Sequence, residues 1–268
     1  MAEPLRIARL DSRALISIRG PDWIPFLQGL LTQSVEDLKP GDLRFAALLT
    51  PQGRLLFDLF LIGGDEGCLI DCERARRALL IQRLTFYRLR AKVEIAADER
   101  PIYAAWGQRP DAEAWAPDPR LAGLGWRTCA AVAAPGASEA DYQAHRLALG
   151  VPGPADWGSE AVYPLEADFD LLNGVDFRKG CFVGQETTSR MKRRGALRSR
   201  MLPIDFEGPP PAPGTEVLTG AGLRAGECLS GAGGRSMALL RLDRIEGQAL
   251  SVDGRPCRAV RPPWMEGE

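Results

Sequence analysis

The order of apolar and polar positions predicts a mixed α and β chain. Ile16-Ser17-Ile18 alternates as a strand does. Gly20-Pro21-Asp22 then punctuates the chain, and residues 23–31 read as a short helix with Asp22 as its candidate cap. Lys39-Pro40-Gly41-Asp42 marks a turn. Residues 45–49 and 55–62 read as two strands of a hairpin around Pro51-Gln52-Gly53, and residues 68–71 continue that sheet. Residues 74–87 have helical spacing, with Ala75, Leu79, Leu80 and Leu84 facing inward and Arg76, Arg77 and Arg83 outward. Strands are expected at 92–96 and 102–106.

Residues 107–125, rich in Pro, Gly and Asp, read as a surface connection, followed by a strand at 126–133. Residues 139–149 form a predicted helix carrying His145 and Arg146, ended by Gly150. Residues 151–180 lack periodicity and contain many turn formers, so a long irregular wall is expected. A helix follows at 184–193. The clearest boundary lies near 197–201, dividing the chain into residues 1–198 and 199–268. Beyond it, short strands at 216–219, 224–230, 236–241 and 248–252, and a turn at Asp253-Gly254 into 256–260, suggest a small antiparallel barrel.

Composition narrows the class. Hydrophobic residues make up 45% of the 268 and charged residues 26%, as in an ordinary globular protein. No apolar run approaches the ~18 residues of a membrane span, so no membrane partner is expected. The N-terminal segment lacks an apolar signal core and already resembles a folded domain, which argues against a secretory or long transit peptide. None of the six cysteines forms a CxxC pair or a zinc-like spacing, and reduced thiols in a cytoplasm are the simple expectation. The single histidine, His145, limits histidine-based metal sites, and no tightly bound metal is expected. Net charge is −1, yet Arg178, Lys179, Arg190, Lys192, Arg193, Arg194, Arg198 and Arg200 crowd into one stretch with Glu186 as its single acid. That stretch suits an anionic ligand or RNA, or forms a solvated loop.

The most specific chemistry lies in Lys179-Gly180-Cys181-Phe182-Val183-Gly184-Gln185-Glu186. A cysteine stands between two glycines, behind two cations and ahead of a predicted helix. Helix starts present free N–H groups and partial positive charge, and a thiol among cations ionises more readily than a free one. One cysteine cannot hold a conventional four-thiolate cluster, so a cluster at Cys181 would need ligands from elsewhere.

This octapeptide resembles the KGC[FY]xGQE signature of the YgfZ proteins, folate-binding relatives of the glycine-cleavage T-protein. The resemblance extends over nearly the whole chain. It takes in Gly20-Pro21-Asp22, the run from Phe26 to Thr32, Gln52-Gly53-Arg54 with Asp58-Leu59, and Tyr87-Arg88-Leu89-Arg90-Ala91-Lys92-Val93. Asp118-Pro119-Arg120, Arg146 with Gly150-Val151-Pro152, and Pro164-Leu165-Glu166 follow in order. It implies an α+β, T-protein-like fold around a central channel, with a C-terminal antiparallel β-barrel. It further implies tetrahydrofolate in that channel and a role in assembling or repairing [4Fe–4S] clusters in client enzymes. Such proteins work in the bacterial cytoplasm or, in eukaryotes, the mitochondrial matrix. Expected partners are folate and cluster clients or assembly proteins, with no direct nucleic-acid contact. Two departures weigh against T-protein chemistry. Thr32-Gln33-Ser34 replaces Thr-Asn-Asp, and Phe57-Asp58 replaces a paired Asp-Asp, so half of an acid pair is missing.

On this reading Cys181 is the reactive thiol or cluster contact. Lys179, Gly180, Phe182, Gly184, Gln185, Glu186, Asp58 and Arg190 are the expected folate-binding residues. Simpler roles stand beside these. Glu186 caps the helix or binds, Gln185 bridges backbone groups or meets a pterin edge, and the two glycines serve geometry. Asp58 is exposed at a strand end or contacts folate. Arg146 makes a structural salt bridge, and Trp23, Trp106, Trp126 and Trp157 pack. The alternative functions are a folate-dependent aminomethyl or one-carbon transferase and an RNA-associated module using residues 178–200.

Overall fold

A computed structural model describes residues 4–195 and 197–266. In chain order the elements are β1 (Arg6–Arg9), β2 (Arg13–Arg19), α1 (Trp23–Gln28), β3 (Leu43–Leu49), β4 (Leu55–Gly64), β5 (Gly67–Glu73), α2 (Arg77–Arg88), β6 (Glu94–Asp98), β7 (Tyr103–Trp106), β8 (Ala116–Pro117) and β9 (Trp126–Thr128). Then come α3 (Glu139–Ala148), α4 (Pro154–Trp157), α5 (Gln185–Arg194), β10 (Ser199–Phe206), β11 (Glu216–Thr219), β12 (Arg224–Ala232), β13 (Arg235–Arg241), α6 (Leu242–Ile245), β14 (Leu250–Val252) and β15 (Arg255–Ala259).

Three β bodies result. An antiparallel sheet runs β3-β4-β5-β2-β6, a second runs β1-β7-β9-β8, and β10-β13-β12-β11-β14-β15 closes into the expected barrel. The first sheet is buried on both faces. Ala46, Leu48, Leu59, Leu61, Ile70 and Cys72 point to one side, where α1 and α2 supply Phe26, Leu27, Leu80 and Leu84. Phe45, Ala47, Leu49 and Phe60 point to the other, against Trp157, Phe169, Phe182 and Met201. Burial on both sides explains why β3 and β4 are so continuously apolar.

Polar positions on that second face meet the second sheet. Asp71 of β5 lies opposite Phe60 of β4 and Leu15 of β2. Arg13 donates to Asp71 Oδ1 at 2.6 Å and to Asp58 Oδ2 at 2.7 Å, and Arg127 of β9 donates to Asp71 Oδ2 at 2.5 Å. Arg120 donates to Asp118 at 2.8 Å and to the Tyr142 hydroxyl of α3 at 2.9 Å. Arg127 lies 4.0 Å from the centre of the Phe60 ring and Arg120 4.8 Å from it. All six charged residues are buried. Burial alone would lower the Arg13 guanidinium, but Asp58 and Asp71 outweigh it and hold the group above its usual range. This neutral cluster of three arginines and three aspartates joins the two sheets.

Several expectations are corrected. Asp22 does not cap α1; its carboxylate accepts from the backbone N–H of Lys92 at 2.7 Å. Ala75 and Leu79 are exposed rather than inward; the inner face of α2 is made by the buried Leu80 and Leu84, with Ile81 and Tyr87 half-buried against the same core. The strand expected at 126–133 stops at Thr128. Strands β1 and β10 and helix α4 arise where none was expected.

Candidate functional site

The octapeptide turns into α5 at Gly184, and the fold dictates glycine there. Gly184 takes φ +81°, and a Cβ would lie 2.8 Å from the carbonyl oxygen of Thr50, in the turn of the β3–β4 hairpin. Phe182 is buried among Phe45, Leu49 and Phe60. It anchors the loop to the core. Lys179 is the second anchor. Its Nζ donates to the carbonyls of Gln28 at 2.9 Å, Leu31 at 2.6 Å and Gln33 at 3.0 Å. Burial pushes the ammonium down to about 8, against the pull of Asp176 and Glu36. With its three protons engaged by backbone oxygens, Lys179 holds the loop against the end of α1 and has none left for an anion.

Between these anchors Cys181 is exposed, alone among the six cysteines in this. Gly180 beside it does not take a left-handed φ, and a Cβ there would meet nothing within 4 Å. The fold therefore does not require glycine at 180. Of the remaining thiols, Cys68, Cys72 and Cys228 are buried and Cys129 and Cys257 half-buried. Burial pushes Cys68 and Cys72 up to about 12 and Cys228 and Cys257 up to about 11, and it raises Cys129 as well. A thiol titration of native protein at pH 8 is expected to give one fast equivalent, absent in Cys181→Ser, with Cys129 and Cys257 reacting slowly and the buried Cys68, Cys72 and Cys228 only after unfolding. Two or more fast equivalents in the wild type would contradict this assignment.

On the first turns of α5, Gln185 and Glu186 line a cleft of about 510 Å³ with Phe177, Ser189, Lys192 and Arg193. The Glu186 side chain is 91% exposed and faces Arg190 at 3.9 Å, so it does not cap the helix. Phe177 was missed by sequence reasoning. Its one signal is an aromatic in an otherwise irregular, turn-rich stretch. Asp58 lies outside this cleft, buried in the arginine–aspartate cluster rather than exposed at a strand end. Its carboxylate is engaged by Arg13, so it is not offered as the base that a one-carbon transfer requires. A separate cleft of about 490 Å³ opens where α3, α4, β12 and the end of β5 converge, and it shares no lining residue with the first.

Other predicted residues settle into packing roles. Arg146 donates to Asp156 at 3.0 Å, the expected salt bridge. His145 bonds the carbonyl of Gly123 at 2.9 Å and stacks on Trp106. The basic stretch is partly neutralised from within. Lys179 and Arg200 are buried, Arg200 against Asp168 and Asp170, and Lys192 pairs with Asp170 at 3.1 Å. This weakens a continuous RNA track. No cluster of three or more potential metal ligands occurs among the described residues.

Comparison with known proteins agrees with this architecture. The glycine cleavage system aminomethyltransferase T of Bartonella henselae superposes with a TM-score of 0.76 over 98% of this chain and 86% of its own, at 16% identity, which establishes the T-protein fold. Residues 198–267 match the C-terminal beta-barrel domain of CAF17. The mitochondrial iron–sulfur cluster assembly factor IBA57 of Homo sapiens is 34% identical, covering 89% of this chain and 78% of its own length. The chain belongs to the IBA57 family of iron–sulfur cluster assembly factors. The IBA57 protein of Mus musculus, at 33% identity over the same shares of both chains, agrees. The expectation drawn from the octapeptide thus holds for family and fold. By their names these IBA57 relatives are mitochondrial.

Proposed function

We propose that this chain is a folate-binding accessory factor in assembly or repair of [4Fe–4S] clusters, with Cys181 as the thiolate that contacts the cluster in transit. The exposure of Cys181 carries this reading. A cluster is a cargo nearly as wide as a side chain is long, and a glycine at 180 that the fold does not require keeps the approach to sulfur open. The remaining iron ligands come from a client or assembly protein, because one thiolate fills one of four usual positions. Lys179 and Phe182 fix the loop so that the thiol is presented rather than buried.

The α5 cleft has the donors and acceptors that tetrahydrofolate needs. Glu186 accepts from pterin N–H groups, Gln185 bonds the pterin edge, and Phe177 offers an aromatic face. Arg190 and Arg193 meet the glutamate carboxylate. Asp58 acts at a distance, by holding Arg13 within the core. The chain would work in the mitochondrial matrix of a eukaryote or the cytoplasm of a bacterium. Calorimetric titration with tetrahydrofolate under argon tests this reading. We expect saturable binding that Glu186→Ala weakens about tenfold or more, as loss of a charge-assisted hydrogen bond does. Absence of binding by the wild type would refute the folate part.

A further inference from the structure

The outer face of α2 carries an apolar stripe that no other part of the described chain covers. Leu79, Phe86 and Leu89 are 44%, 74% and 87% exposed. Leu79 and Phe86 lie two turns apart on one face, and Leu89 follows at the helix end. Leu89 takes φ +46°, a left-handed conformation unfavourable to a residue with a Cβ, so the backbone holds a large apolar side chain in water under strain.

Cations surround this stripe. Arg83 lies one turn before Phe86. Arg19, Arg88, Leu89, Arg90 and Lys92 line one depression of about 600 Å³. Glu66 and Glu94 also line it, four cations against two acids. Among the described residues none of the charged side-chain groups of Arg19, Arg83, Arg88, Arg90 and Lys92 has a carboxylate within 4.0 Å; the Asp22 carboxylate meets Lys92 only at its backbone N–H. Phe86 and Leu89 thus protrude into solvent beside four guanidinium groups that have no carboxylate partner among the described residues.

We propose that this face contacts an anionic bilayer surface. Phe86 and Leu89 would enter the boundary between headgroups and acyl chains, and the arginines would pair with lipid phosphates. A bilayer offers both complements at once, a layer of negative charge with a deformable apolar layer behind it. A folded partner would need a pocket shaped for side chains that project outward. The expectation of no membrane partner rested on spans. No described helix is long and apolar enough to cross a membrane, and a surface contact does not require one.

The test is co-sedimentation of the full chain with vesicles of phosphatidylcholine alone and of phosphatidylcholine with 30% phosphatidylglycerol. Wild-type protein is expected to sediment with the anionic vesicles only, and to be released as salt rises. The Phe86→Ser/Leu89→Ser and Arg88→Glu/Arg90→Glu double variants are each expected to partition at least tenfold less. Arg193→Glu/Arg194→Glu, on α5, is expected to sediment like the wild type. Melting curves confirm that each variant is folded. Leu89→Trp is expected to blue-shift its emission on anionic vesicles. Wild-type protein left in the supernatant overturns the proposal and leaves the face to an acidic protein. Undiminished sedimentation of the Phe86/Leu89 variant also overturns it.

Discussion

Asp71→Ala is expected to lower the melting temperature by about 10 °C. The carboxylate of Asp71 accepts from Arg13 at 2.6 Å and from Arg127 at 2.5 Å, and both guanidinium groups are buried. Removing it leaves three arginines against two aspartates in a site without solvent. Arg127 then has only Asp118, at 3.9 Å. Breaking one side of a buried pair costs about 3–5 kcal/mol, and in a chain of this size each kcal/mol shifts the midpoint by about 2–4 °C. Asp98→Ala removes the partly exposed pair with Arg100, and its effect should stay within about 1 kcal/mol. Acid should attack the same buried cluster. Burial alone would raise the Asp118 carboxyl, but Arg120 and Arg127 outweigh it and hold it below its usual 3.8. Its stabilising contribution is therefore complete above about pH 4 and drains away as the pH falls below that value. A midpoint shift under about 2 °C for Asp71→Ala would show that the cluster does not join the sheets.

Lys179→Met is expected to cost about 3 kcal/mol. It removes the donors from three backbone carbonyls, those of Gln28, Leu31 and Gln33. A buried acceptor left unpaired costs about 1–3 kcal/mol, and some of the three will regain water. The penalty should also depend on pH in a defined direction. Lys179 titrates near 8 in the folded chain and at 10.5 when unperturbed. Between these values the unfolded chain binds more protons, so the wild type gains stability from this group as pH rises from about 8 to 10.5. The difference in melting temperature between wild type and Lys179→Met should widen across that window. A constant difference would mean that burial does not depress the ammonium.

The parts of this fold that were legible in the sequence are those whose signals are local. The β3–β4 hairpin follows from two apolar runs around Gly53, α5 from Gly184 and the polar run after it, and the barrel from short strands with Gly and Pro between them. Strand β10 was not expected, because Pro203 interrupts its pattern; the barrel accepts it opposite Met237. Helix α2 misled because Ala75 and Leu79 continue an apolar pattern that the structure leaves in water. At the site, the sequence singles out Cys181 and its loop but leaves the exposure of the thiol open, and it does not announce the burial of Lys179 and Phe182. Their partners lie near residues 28–33 and 45–60, more than a hundred residues earlier, and no local pattern announces such contacts. The arginine–aspartate cluster was hidden for the same reason, since it draws on β2, β4, β5 and β9 together.

The most direct test of Cys181 as the cluster contact is the activity of a [4Fe–4S] client enzyme in cells that lack their own factor and carry either the wild-type chain or Cys181→Ala. A side chain exposed on a loop fixed by its neighbours can change without altering the fold, so the variant should accumulate and melt like the wild type. The account predicts restored client activity with the wild type and near-background activity with the variant. Full restoration by an equally abundant Cys181→Ala chain would contradict it.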